Sequence, residues 1–338
     1  MNRILISGVN GFIGSHIAER LVKEGNQVRG LVRKTSDLTF IEGLEIELFY
    51  GDITERDSLI DPMRGIQIVI HVAGLAADWG PYEKFYAVNT TGTKNMAEIA
   101  SLSRVKRFVH ISTTAIHGFG GFRNIDELFP MTETIFPYCE TKKLAEKWLF
   151  EFSKLTDMEI CAIRPGNVFG PRDHTFITKY ADALKKRRVG YIDRGNHWTC
   201  PTYVENLVEG IIKACFEPAA SGESFFITDG LTVDWKTFTG KLADALDLEM
   251  PRFSIPFWFG YTVAALMEFT YSLLTIPKPP LLTRYRISNA GRDYHFSIEK
   301  AKRLLNYCPV VPFDEAIKRT ARWYLERYKK ELLKVFML

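Results

Sequence analysis

Tyr138-Cys139-Glu140-Thr141-Lys142 sets a phenol and an ammonium four positions apart. On a helix this spacing puts both on one face, so Lys142 is expected to bring its charge beside the Tyr138 hydroxyl. A free phenol has a pKa near 10, and lowering it to about 7 takes roughly 4 kcal/mol of preferential stabilisation of the phenolate. A lysine and a further positive charge in a dry site supply such a field, and the pair would then pass a proton to or from a substrate oxygen. A tyrosine and a lysine at this spacing are common by chance. Their weight comes from Thr113, at the end of an apolar run upstream, and from a glycine-rich segment near the N-terminus.

That segment reads Gly8-Val9-Asn10-Gly11-Phe12-Ile13-Gly14 and stands between an apolar run and an amphipathic stretch. A pyrophosphate needs backbone N–H groups at a helix N-terminus, here those around Phe12 and Ile13, and glycines let the chain turn and approach the phosphates. Gly14 would let the helix pack close to the strand. A dinucleotide site normally carries an acid about 20 residues further on to hold the ribose 2′-hydroxyl. This chain has Val32-Arg33-Lys34 there instead. Two cations suit a 2′-phosphate, so NADP is expected and NAD is less favoured; the alternative is a merely solvated strand end. Asp52 and Ile53 are placed to contact adenine, and Ala73-Gly74 to let the chain pass close to the cofactor.

The elements that must position these residues follow from periodicity. Short apolar runs at 4–7, 27–32, 46–50, 66–72, 107–112 and 159–164 alternate with amphipathic stretches, the rhythm of a parallel sheet with helices on both faces. Ile13, Ile17, Leu21 and Val22 recur at helical spacing before Gly25 ends the first helix. The fold class expected is α/β, a doubly wound parallel sheet with a smaller, partly helical C-terminal substrate domain. The nucleotide-binding domain takes residues 1–171, with 201–230 returning to it; 172–200 and 231–312 form the substrate domain, and an amphipathic helix covers 313–338. At 338 residues the chain exceeds the usual limit of a single core, which fits that division.

Residues 253–277 are strongly apolar, with Glu268 as the one formal charge. A buried helix or lid, a surface facing a membrane, and a membrane span all remain open. Lys278, Arg284 and Arg286, with Arg319, Arg322, Lys329, Lys330 and Lys334, are cations that could meet anionic head groups. The segment is expected to form the apolar wall and mouth of the substrate pocket. Lys plus Arg at 44 against Asp plus Glu at 40 leaves a net charge of +4, too weak for a nucleic-acid footprint. Five cysteines without a Cys-x-x-Cys pair suggest neither disulfides nor zinc, and point to a reducing cytoplasm. His71, His110 and His117 are expected to pack or hydrogen-bond, with no metal.

In order along the chain, Gly8, Gly11, Gly14, Thr113, Tyr138, Lys142 and Arg164-Pro165-Gly166-Asn167-Val168-Phe169-Gly170-Pro171 resemble the extended short-chain dehydrogenase/reductases. The resemblance implies that Tyr138 is the acid and base, that Lys142 also holds the nicotinamide ribose, and that Thr113 hydrogen-bonds the reacting oxygen. It further implies that Pro165 to Val168 lie beside the nicotinamide, that Asn89 belongs to the cofactor set, and that the chain forms a homodimer. Gly170-Pro171-Arg172-Asp173, Gly195-Asn196 and Thr202-Tyr203-Val204-Glu205-Asn206 resemble the 3β-hydroxysteroid dehydrogenase/isomerase branch. Ala76-Ala77-Asp78-Trp79-Gly80 resembles bacterial 2-alkyl-3-oxoalkanoate reductases.

Trp79, Thr113, Asn167 and His174 are accordingly expected at the substrate, though Trp79 could equally plug a loop. The steroid enzymes generally carry an acid where Arg33 stands and use NAD, a departure that weighs against a steroid. The function expected is NADP-dependent interconversion of a ketone and a secondary alcohol on a lipophilic small molecule, in the cytoplasm and weakly associated with a membrane surface. A nucleotide-sugar epimerase or dehydratase on the same fold is the alternative. A non-enzymatic NADP sensor is disfavoured by the intact Thr113, Tyr138 and Lys142.

Overall fold

A computed structural model describes residues 2–336, with side chains through Arg327. Seven strands form one parallel sheet: β1 (Arg3–Ser7), β2 (Gln27–Val32), β3 (Ile46–Tyr50), β4 (Ile68–His71), β5 (Arg107–Ile111), β6 (Glu159–Pro165) and β7 (Ser224–Ile227). Their spatial order is β7-β6-β5-β4-β1-β2-β3. The order reverses between β1 and β4, and the register there sets Ser7 level with His71. In open parallel sheets a ligand binds at the carboxyl ends of the strands at such a switch point.

Both faces of the sheet are covered, so its strands read as continuous apolar runs rather than alternating ones. One face packs on α1 (Phe12–Lys23) and the other on α2 (Gly92–Leu102) and α3 (Pro137–Phe152). Ile17, Ala18 and Leu21 of α1 join Ile4, Ile6 and Ile70, while Met96, Ala97 and Leu149 close the second core over Leu5, Val69 and Phe108. The seventh strand is followed by the rest of the C-terminal region, and α4 (Val204–Phe216) covers it through Leu207 and Ile211.

The segment 231–312 is shared among several cores. Ile298, Ala301, Leu305 and Tyr307 pack into the core of the main sheet, whereas Trp235, Phe238 and Leu242 pack with Phe169, Tyr203 and Ile317. A third cluster joins Ile192, Ala264 and Ile287 beneath α5 (Phe257–Leu273) and α6 (Arg284–Ala290). The C-terminal helix α7 runs Phe313–Phe336.

The apolar segment is thus helical over 17 residues only, about 25 Å at ~1.5 Å per residue against a hydrocarbon core of ~30 Å. No helix among the described residues is long and apolar enough to cross a membrane. The spanning reading is corrected on that ground: Pro256 stands at the start of α5, and the chain leaves the helix before Thr275. Arg284 is paired with Glu268 and Arg286 with Asp78, so these two cations are already committed; Arg319 pairs with Glu205 and Glu315. The side chains of Lys329, Lys330 and Lys334 lie outside the described residues.

Candidate active site

The glycine segment joins β1 to α1. Gly8 adopts φ +68°, a left-handed conformation that costs other residues energy, and a Cβ there would press on the Ala73 backbone at 3.1 Å. At Gly14 a Cβ would overlap the Gly8 carbonyl oxygen and approach Val9 Cα to 2.9 Å. Gly11 caps α1 without a side-chain acceptor, and no acid occupies the first turn, so the helix's first N–H groups and its positive pole keep their capacity for an anion. The chain therefore crosses the sheet end with no side chain in the way and with donors facing outward, and this fits a dinucleotide pyrophosphate. Phe12 and Ile13 open α1 there, and their side chains pack into the cores.

Around the loop, Asn10 donates through its side chain to the Asp37 carbonyl at 3.0 Å and so ties the loop to the turn after β2. Arg33 and Lys34 are exposed in that turn, neither with an ion-pair partner among the described residues. Asp52 is engaged by Thr54, whose N–H and hydroxyl both donate to it at 2.9 and 2.8 Å. Ile53 is buried against Gly92. Asn89 staples the passage after Ala73 and Gly74, accepting from Leu75 N–H at 2.7 Å and donating to the Leu75 carbonyl at 3.2 Å.

Thr113, Tyr138 and Lys142 converge at the ends of β5 and α3. The Thr113 hydroxyl oxygen accepts from Ala115 N–H at 3.2 Å, which leaves its own proton to donate. Burial pushes the Tyr138 phenol up to about 12, with the Thr113 hydroxyl working against that rise. The Lys142 ammonium donates to the Ile111 carbonyl at 2.6 Å and lies 3.2 Å from His110 Nε2. Helical spacing chose its face, but the acceptors on β5 chose its direction. Burial pulls its pKa down to about 7, opposed by the charge of Glu146.

Three aromatic residues that sequence reasoning did not single out cluster on one side of Tyr138, Tyr285 against it and Phe119 and Phe136 against Tyr285. The Tyr285 ring on α6 lies 6.5 Å from that of Tyr138, and Phe119 and Phe136 meet Tyr285 edge-on at 5.0 and 5.4 Å. Asn167 and Asn289 exchange amide hydrogen bonds at 3.2 and 3.0 Å, joining the strand after Pro165 to α6. Pro165 itself accepts from the Thr114 hydroxyl at 3.1 Å, and Val168 sits level with Thr202 in a short parallel pair. Trp79 donates to the Ile276 carbonyl at 3.3 Å and meets Tyr271 of α5, while Asp78 accepts from Thr283 at 2.8 Å. The loop after β4 is thus bolted to the α5–α6 roof.

His174 is not brought into this group. It stacks on Phe40 at 5.3 Å, contacts Trp323, and lies 2.7 Å from the Arg327 guanidinium, because Pro171 and Arg172 before it are held on α1 by His16 and Ser15. His71, His110 and His117 pack and hydrogen-bond as expected; burial lowers all three, His71 to about 3 and His117 to about 4. Among the described residues no His, Cys, Asp and Glu group could hold a metal ion.

Comparison with known proteins bears on the whole arrangement. Residues 4–227 match the NAD dependent epimerase/dehydratase family. The sterol-4-alpha-carboxylate 3-dehydrogenase, decarboxylating, of Mus musculus is 30% identical over 327 residues, 94% of this chain and 89% of that protein. A 2-alkyl-3-oxoalkanoate reductase of Stenotrophomonas maltophilia is 25% identical over 326 residues, 94% of this chain and 98% of that protein. The UDP-glucose 4-epimerase of Thermotoga maritima, solved with UDP-glucose, superposes with a TM-score of 0.79 at 19% identity over 96% of this chain and 99% of that one, a likeness of fold. A match running from the first strand through the seventh, with a relative 30% identical over nearly the whole chain, makes this chain a member of the NAD dependent epimerase/dehydratase family, the extended short-chain dehydrogenase/reductases, and an NAD(P)-dependent oxidoreductase.

Proposed function

We propose that the protein uses NADP(H) to interconvert a ketone and a secondary alcohol on a lipophilic substrate, a steroid, a sterol or a long-chain β-keto acid. The observation that carries this reading is the aromatic cluster beside Tyr138: the Tyr285 ring lies 6.5 Å from that of Tyr138 and is itself packed by Phe119 and Phe136, and the nearby roof cations Arg284 and Arg286 are held by Glu268 and Asp78. A nucleotide diphosphate would call for free cations and amides on the substrate side. The sterol and alkanoate chemistry in the names of the mouse and Stenotrophomonas relatives points the same way. Mass spectrometry of ligand carried through purification tests the class: a steroid or acyl chain is expected, and a UDP-sugar would replace this reading with that of an epimerase.

A bound nicotinamide supplies or takes the hydride at the substrate carbon. The chain's own residues handle the oxygen. Thr113 donates its free hydroxyl proton to the carbonyl oxygen, and Tyr138, protonated near neutrality because burial raises its pKa, donates the second hydrogen bond and then its proton. Pro165 and Val168 would lie along the nicotinamide, with Lys142 on its ribose. Asp52 and Ile53 would face the adenine, with Gly74 and Asn89 shaping the passage between. Asn167 and Trp79 would border the substrate. The NADP preference leans the reaction toward reduction.

The preference itself rests on Arg33 and Lys34, exposed and without ion-pair partners in the turn that Asn10 ties to the glycine loop. A charge-assisted bond to the 2′-phosphate is worth about 1.5 to 3 kcal/mol, so Arg33→Ala should raise the NADPH dissociation constant roughly tenfold or more. NADH affinity should hardly change. Fluorescence titration of both cofactors decides it, and a wild-type preference for NADH would reduce the two cations to solvated surface.

Helix α5 presents Trp258, Phe269 and Leu273 to solvent at 68, 68 and 71% exposure, with Phe259 and Leu266 between them. Its inner face carries Gly260 and Ala264, and Tyr271 meets Trp79 at the roof of the site. An apolar outer stripe over an apolar pocket suits an enzyme that takes its substrate from lipid. The protein should therefore sediment weakly and reversibly with anionic liposomes at low salt, and Leu266→Asp with Phe269→Asp should abolish this. Absence of binding at low salt would leave α5 as a lid alone. A homodimer through α2 and α3 completes the proposal.

A further inference from the structure

His110 is wholly buried one strand position before Ile111, and its Nε2 lies 3.2 Å from the Lys142 ammonium nitrogen. Its other ring nitrogen, Nδ1, has no partner in the structure. Burying an imidazole with an idle nitrogen is costly and calls for a reason. The neighbouring histidine has none to give. Ser7 Oγ accepts from Val72 and Ala73 N–H at 3.1 Å each, so its proton goes to His71 Nδ1 at 2.8 Å; His71 Nε2 then donates to Thr93 Oγ1 at 2.9 Å, and Thr93 donates to the Asn89 carbonyl at 2.7 Å. His71 is thereby a closed, neutral link with no bond left for its neighbour, although the two rings stack at 5.5 Å.

We propose that His110 is a positioning residue for Lys142, accepting one ammonium N–H at Nε2 while the Ile111 carbonyl accepts a second, so that the third N–H points out of the protein toward the cofactor ribose. An ammonium has three donors and no acceptor, and in a dry interior each donor left idle disfavours the charged form. His110 therefore carries its proton on Nδ1, the nitrogen without a partner, and keeps the lysine both charged and aimed. In the sheet His110 stands level with His71 on β4 and Ala162 on β6; on α3 it faces Lys142, with Glu146 one turn on. Glu146 is itself paired with the buried Arg164, and burial, the Lys142 charge and the neighbouring His71 hold His110 itself neutral.

The inference rests on the ribose role of Lys142 for its functional meaning but not for its geometry, and the test separates the two. His110→Phe keeps a ring of similar size and removes the acceptor, so Lys142 should lose its proton at lower pH. NADPH affinity and kcat/KM should both fall about tenfold at pH 8 relative to wild type while converging on it toward pH 6. His110→Gln, which offers an amide oxygen, should recover most of the loss. A defect equal at every pH, or no rescue by glutamine, would overturn the assignment. If the phenylalanine variant does not fold, nitrogen-15 spectra of wild-type His110 still decide: a neutral ring protonated on Nδ1 is expected, with Nε2 shifting in Lys142→Met, and a ring protonated on Nε2 would refute the proposal. The spectra read His110 without turnover, so a failed catalytic reading would show separately, as Tyr138→Phe retaining activity.

Discussion

Tyr138→Phe should lower kcat by at least about a hundredfold and leave NADPH binding nearly intact, since general acid–base catalysis commonly supplies 10² to 10⁴-fold. The phenol lies close to Thr113, whose hydroxyl acts on it, and burial holds it protonated near neutrality. A phenylalanine keeps the ring against Tyr285, so packing survives while the proton source is lost. Steady-state turnover with a fluorescence titration of NADPH separates the two effects. Near wild-type turnover would remove Tyr138 from the mechanism.

Gly14→Ala should cost at least about a hundredfold in NADPH affinity. The added Cβ meets backbone on every side, the Gly8 carbonyl and Val9 Cα at 2.9 Å, so it cannot be accommodated by turning a side chain. The loop must lift from α1, and two or so charge-assisted N–H contacts to phosphate, about 1.5 to 3 kcal/mol each, are misdirected together. Overpacking adds about 1 to 3 kcal/mol of lost stability. Gly25→Ala is the control: its φ is +77° with nothing within 4 Å of a Cβ, so it should cost about 1 to 2 kcal/mol of stability and leave cofactor affinity unchanged. Isothermal titration of both variants checks the contrast, and equal affinities would show that the loop does not hold the pyrophosphate.

What could be read ahead of the structure was what local sequence controls. Six strands declare themselves as apolar runs because the strands of a parallel sheet covered on both faces are mostly apolar on both sides. The strand Ser224–Ile227 was not named among them: it is four residues long and returns to the sheet after a stretch of mixed character. The glycine loop and the Tyr138–Lys142 spacing were legible for the same local reason. Residues placed by tertiary packing were not. Nothing near Tyr285 or Asn289 in sequence marks them, since α6 comes to the site only through its packing with α5 and its ties to Asp78 and Asn167. Spacing put Lys142 on the right face, yet its partners are on β5, which no helical pattern encodes. His174 followed a suggestive run and went elsewhere, because the turn before it is held on α1.

The central claim is that Tyr138 protonates a ketone whose carbon receives a hydride from NADPH. It is tested most directly with NADPH deuterated at C4 and a lipophilic ketone, either a 3-oxosteroid or a long-chain β-keto acid. The product is examined by mass spectrometry and proton NMR. One deuterium on the carbinol carbon is expected, with stoichiometric NADPH consumption, and Tyr138→Phe should abolish both. No deuterium in any ketone-derived product, together with epimerisation of a UDP-sugar at constant cofactor, would contradict the account.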